Sequence, residues 1–182
     1  KLSYGIYMGH ITPERIIFGA TVACILLLFS RTVPLISQSL ITIVSTHTTT
    51  VINMIGYDSV VTQSDGMTYI LFPKSGMKTR IVTACTGIGS MSAIVALIAI
   101  SSDKKLHTVM WSVSSIIVIH ALNTARNVFI AVSYSQQLFH IYPGFITQVF
   151  GNGGTYVSYY IADKIISQTF SLLFLVALAY LI

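Results

Sequence analysis

An all-α integral membrane helical bundle of about five spans, with a small extracytoplasmic β-meander inserted before the third, is the fold class this sequence predicts. Three observations carry it. Of the 182 residues, 54% are hydrophobic and only 8% charged, against about a quarter charged in an average soluble domain. Mean hydropathy is +0.79. Apolar runs suited to a hydrocarbon core about 30 Å thick recur along the chain, and a single alternating polar segment interrupts them.

The runs are Ile16 to Phe29, Val33 to Ile55, Ala84 to Ser102, Leu106 to Ile130 and Tyr156 to Ile182. The first is short and is followed by Arg31 and Pro34, so a truncated span or a re-entrant segment is expected there. In the second, Gln38, Thr42, Ser45, Thr49 and Asn53 recur at helical spacing and form a polar stripe. Lipid would not solvate such a stripe; other helices or a wet cavity must face it. Residues 57–83 alternate apolar and polar around Asp65-Gly66 and Pro73-Lys74-Ser75-Gly76, two turn signals. They predict a three-strand meander that ends at Cys85. The whole chain, 1–182, reads as one membrane-embedded domain, with 57–83 its extracytoplasmic insertion and 84–182 the helices and loop that carry the chemistry.

Charge and cysteine usage exclude several classes. The net charge of +5 comes from ten basic against five acidic residues, and the basic ones are scattered, so there is no nucleic-acid footprint. Lipid headgroups remain as partners. Cys24 and Cys85 form no C-x-x-C pair and no metal-ligand spacing, so no metal, cofactor or disulfide scaffold is expected. The chain begins at Lys1 without a methionine, which leaves room for sequence upstream, and what is present carries no signal-peptide pattern.

Relative sidedness follows from the order of the runs. The third begins at Cys85 and ends at Asp103-Lys104-Lys105, and the fourth returns, with Arg126 near its end. The polar stretch from Ser133 to Gly154, which contains His140, then lies on the side of Cys85. Lys104-Lys105 favours the cytoplasm for the opposite side, with Lys74, Lys78 and Arg80 counting partly against this. Cys85 is therefore expected outside the cytoplasm, in a multi-pass protein of the cell membrane.

Two roles compete for Cys85. Helix N-termini and nearby cations stabilise a thiolate, and the free N–H groups of a first turn at Thr86 to Ile88 would receive an oxyanion. Alternatively, Cys85 is a small packing residue, with Gly89 and Ala93 supplying a small-x-x-x-small helix contact and Gly87 a close approach. Arg126 weighs on the choice, because arginine within a span costs about 2.5–3.5 kcal/mol at mid-membrane. His120, Asn123 and Asn127 lie on a narrow arc of its helix, as orienting groups or interhelical hydrogen bonds. Snorkelling to the interface is the plain alternative for Arg126.

Ala84-Cys85-Thr86-Gly87-Ile88, followed one span later by Asn123-Thr124-Ala125-Arg126-Asn127, resembles the exosortase and archaeosortase family of membrane transpeptidases. The resemblance covers roughly Tyr57 to the C-terminus and implies a multi-helix membrane fold with Cys85 as nucleophile and Arg126 as its partner at the extracytoplasmic surface. Typical members have more spans, so the chain resembles a compact or N-terminally shortened version. For the third basic residue of the family, His140 in Phe139-His140-Ile141-Tyr142-Pro143-Gly144 is the candidate. Lys164, in the last run, is its rival. His140 is preferred because imidazole exchanges protons near neutral pH, whereas lysine needs a lowered pKa. An ion pair with Asp163 is the alternative role for Lys164, although successive helical residues do not face each other. Thr86, Gly87, Asn123, Asn127 and His120 are the candidate substrate-binding or orienting residues.

The resemblance further implies substrates: secreted proteins with a C-terminal signal made of a short motif, an apolar helix and a basic tail. Cys85 would form a thioester, and an acceptor, a membrane lipid, would resolve it. The rival class is a small membrane transporter or assembly subunit, with the polar stripe and Arg126 lining a path. No G-x-S-G serine, D-H-H-C cluster or C-x-x-C pair directs the chain to other membrane enzymes.

Overall fold

The computed structural model describes residues 12–32, 34–101, 105–139, 144, 148 and 156–181. Helix α1 covers Pro13–Thr32 and α2 covers Pro34–Met54. Both begin on proline, whose fixed φ suits a first turn and whose missing N–H has no partner there anyway. Strands β1 (Val60–Ser64), β2 (Met67–Phe72) and β3 (Met77–Ile81) follow. A 3₁₀ turn at Thr83–Thr86 leads to α3 (Ile88–Ser101) and α4 (Lys105–Ser135). The last helix changes type along its length: α5 (Val157–Tyr160), a π-helical stretch Ile161–Ser167, then α6 (Gln168–Leu181).

The meander forms as its turn residues require. Strands pair antiparallel in the order β1-β2-β3, with Ser64 opposite Met67 and Phe72 opposite Met77. Asp65 and Gly66 both have positive φ, 53° and 70°, the two-residue turn that matches strand twist. The inner face, Thr68, Ile70, Phe72, Thr79 and Ile81, is buried. It packs on Val44 and Ile52 of α2 and on Val128, Ala131 and Val132 of α4, and Cys85 lies against the same cluster. The sheet therefore sits directly on the two helices that flank Cys85.

That packing accounts for much of the polar stripe of α2. Gln38 Nε2 donates to Thr68 Oγ1 on β2, and Asn53 holds Ser59 by three hydrogen bonds at the entry to β1. Thr42 and Ser45 bond back to carbonyls one turn earlier. Among the described residues, one helix, over Thr108–Ser135, is long and apolar enough to cross a membrane by itself, and a shorter apolar helix covers Ile88–Ile100. The 21 residues of α2 are long enough but too rich in hydroxyls and amides.

Large apolar side chains stand exposed on α1 (Ile17, Phe18), on the first half of α4 (Val109, Trp111, Ile117) and on α6 (Phe170, Leu172, Val176). Water would penalise such a surface; lipid does not. Helix α1 lies along α3 where Gly19 has no side chain: a Cβ there would stand 2.5 Å from Ile100 Cγ1 and 3.0 Å from the Ala96 carbonyl oxygen. The expected Gly89–Ala93 contact is not the one used. A Cβ on Gly89 would meet nothing within 4 Å, and Ala93 is exposed.

Candidate active site

Cys85 is set by the turn that joins β3 to α3. Its N–H donates to the Val82 carbonyl at 2.7 Å, and the Thr86 hydroxyl donates to the Thr83 carbonyl at 2.7 Å. The turn stops at Gly87, whose left-handed backbone (φ 76°, ψ 7°) side chains rarely adopt. This corrects the expectation that Cys85 opens the third-span helix. The first turn of α3 starts after Gly87 and comprises Ile88, Gly89 and Ser90, so Cys85 precedes it by a separate turn. Thr86 is buried, and its hydroxyl is engaged within that turn.

Helix α4 grips this turn from the side. Asn123 Nδ2 donates to the Cys85 carbonyl at 2.5 Å and Asn127 Nδ2 donates to the same oxygen at 2.8 Å. The two amides are four residues apart, one helical turn, so both can reach a single acceptor. Arg126 lies between them in sequence, and its Nη2 donates to Asp163 Oδ1 at 2.5 Å. Lys164 Nζ reaches Asp163 Oδ2 at 3.1 Å. The spacing rule disfavoured that last pair; the four-carbon lysine stem reaches around the helix in spite of it. Tyr159 stands within the electrostatic reach of Asp163, Arg126 and Cys85.

A cavity of about 700 Å³ opens beside these groups. Thr83, Ala84 and Gly87 from the cysteine turn, the first turn of α3, and Asn123 and Arg126 form one part of its wall. Ile119, Leu122, Phe129, Phe170 and Phe174 make most of the remainder apolar. The space is thus a greasy groove with a cation at one edge. Arg126 Nε is buried with no hydrogen-bond partner among the described residues, so part of its donor capacity remains unused.

Other candidates fall elsewhere. His120 pairs with His47 of α2, Nε2 to Nδ1 at 2.9 Å, and clips the two helices together. His140 lies outside the described residues. The residue before it, Phe139, donates its N–H to Ser158 Oγ and packs edge-on against Phe129 of the cavity wall at 6.2 Å. Among the described residues no group of three or more His, Cys, Asp or Glu side chains is arranged to hold a metal. Sequence reasoning missed Asp163 and Tyr159 as neighbours of Arg126. The available signal was complementary: an acid in one apolar run and an arginine in another each need a partner of opposite charge.

A family profile described as transmembrane exosortase matches residues 3–159. Archaeosortase A of Haloferax volcanii is 35% identical over 107 residues, which cover 58% of this chain and 35% of that protein. Archaeosortase A of Natronomonas pharaonis is 36% identical over 114 residues, covering 61% and 36% respectively. The chain thus spans about a third of the length of these curated relatives. No solved structure matches it.

Proposed function

The chain belongs to the transmembrane exosortase family, and from that membership we propose that it is a membrane-embedded cysteine transpeptidase. It cleaves a C-terminal sorting signal from secreted proteins and passes the new C-terminus to an acceptor, a membrane lipid. One observation carries the reading most directly: Asn123 and Asn127, on either side of Arg126, both hold the Cys85 carbonyl. The backbone that carries the thiol and the helix that carries the guanidinium are thereby joined through two side-chain amides beside an apolar groove.

In this mechanism the apolar helix of the substrate signal occupies the groove, with its junction peptide bond at Cys85. The thiolate attacks the carbonyl carbon, and Arg126 stabilises the resulting oxyanion. The C–N bond breaks, the amine leaves with a proton, and a thioester remains. A hydroxyl or similar nucleophile of the acceptor lipid then displaces the thiol. His140 is the proposed proton donor to the leaving amine. Lys164 is the rival, favoured by its contact with Asp163, which also binds Arg126.

The proposed setting is a single multi-pass domain, 1–182, with the 57–83 meander and Cys85 outside the cytoplasm and 84–182 carrying the reaction. A transporter reading loses part of its support, since Gln38 and Asn53 of the α2 stripe are engaged with the sheet and the chain leading into it. The test is intact-mass analysis of a candidate secreted protein from cells that carry wild-type or Cys85→Ala enzyme. Loss of a C-terminal helix and gain of a lipid mass, both abolished by Cys85→Ala and neither by Cys24→Ala, is the expected result. Unchanged processing by Cys85→Ala would end the reading.

A further inference from the structure

Glu14, Asp58 and Asp65 are exposed, whereas Asp163 is buried at 5% exposure within the last helix. A carboxylate so placed needs cations, and its two oxygens engage different ones. Oδ1 takes Arg126 and Oδ2 takes Lys164. Two cations and one carboxylate leave the cluster a single net positive charge, enough to hold one anion.

The backbone under Asp163 is unusual. Ile161–Ser167 is π-helical, and the Gln168 N–H bonds to the Asp163 carbonyl five residues back. Such stretches are rare and occur frequently at functional sites. Here the stretch presents Asp163 to Arg126 Nη2. Arg126 Nε–H, in contrast, is buried and unpartnered among the described residues. An orphaned donor is costly unless a ligand completes it. We propose that Asp163 is the positioning residue for Arg126: it grips Nη2 so that the unused Nε–H edge is held ready for the anion formed at Cys85. The inference rests on the reading of Cys85 as nucleophile and deepens it.

Charge and position make opposite predictions, which allows a sign test. In a Cys24→Ala background, alkylation of Cys85 by iodoacetamide is followed in micelles across the neutral pH range. Removing the negative charge of Asp163 would by itself raise the local positive potential and speed alkylation. Releasing the guanidinium would slow it. We expect Asp163→Asn to slow alkylation about fivefold and to move its pH profile upward, and to add nothing further in an Arg126→Lys background. A wild-type or faster rate in Asp163→Asn overturns the inference, as does an equal additional slowing on top of Arg126→Lys. If Asp163→Asn does not fold, Asp163→Glu is used instead. It retains the charge but displaces it, so slower alkylation supports positioning and a wild-type rate overturns it. The Cys85→Ala processing assay separates the two failures. Processing that survives Cys85→Ala removes the parent reading and this inference together; processing lost there with alkylation unimpaired in Asp163→Asn removes the inference alone.

Discussion

A methyl group on Gly87 would stand 3.1 Å from Cγ and 3.3 Å from Cβ of Asn123, the residue whose amide holds the Cys85 carbonyl. Gly87 also has φ at +76°. Gly87→Ala therefore strains the backbone and pushes on Asn123 together. The expected outcome is a stability loss of about 1–3 kcal/mol, with a fall in processing larger than the unfolded fraction explains. Melting curves in detergent beside the intact-mass assay check this; wild-type processing by Gly87→Ala would show that the Asn123 contact is dispensable.

The two asparagines share one acceptor, so their losses should not add. Removing either amide costs about 1 kcal/mol, the net worth of an ordinary hydrogen bond, because the other still satisfies the Cys85 carbonyl. Removing both orphans that oxygen and adds about 1–3 kcal/mol. A double-mutant cycle of Asn123→Ala and Asn127→Ala by denaturation in micelles is expected to exceed the sum of the singles. Simple additivity would mean that the carbonyl finds water or another donor.

Arg126→Lys keeps the charge but loses the planar donor set that engages Asp163 Oδ1 while leaving Nε–H unused. A snorkelling anchor would tolerate the change. A guanidinium that holds an anion would not. Single-turnover cleavage of a sorting-signal peptide is expected to fall about tenfold, roughly 1.4 kcal/mol of transition-state stabilisation, with little shift in melting temperature. Cleavage at the wild-type rate would take Arg126 out of the site.

Gly19 tests the scaffold rather than the chemistry. With Ile100 Cγ1 at 2.5 Å and the Ala96 carbonyl oxygen at 3.0 Å from a notional Cβ, Gly19→Val must separate α1 from α3. Overpacking of this kind costs about 1–3 kcal/mol. A lowered melting temperature with an unchanged rate for the folded fraction is expected. An unchanged melting temperature would show that Ile100 simply rotates away.

Local chemistry alone determines some features of this protein. Asp65-Gly66 and Gly76 mark turns because only certain residues tolerate positive φ, and both hairpins form where these residues lie. Apolar runs mark helices, since a run of side chains without hydrogen-bonding groups fits lipid or a core in only a few ways. The Ala84–Ile88 and Asn123–Asn127 motifs pointed to one family for the same reason: each is a short, contiguous pattern.

Contacts between distant residues had no such local signature. That Asn123 from another helix packs against Gly87, at the break that separates Cys85 from α3, has no trace in the residues around Gly87. His120 shares an arc with Asn123 and Asn127 on α4, yet it meets His47, because α2 packs on that side. Asp163 neighbours only Lys164 in sequence, and it is the packing of the last helix on α4 that brings its other oxygen to Arg126. A helical wheel orders side chains around one axis; which neighbour stands at each angle is decided by how the helices and the sheet share their buried surface.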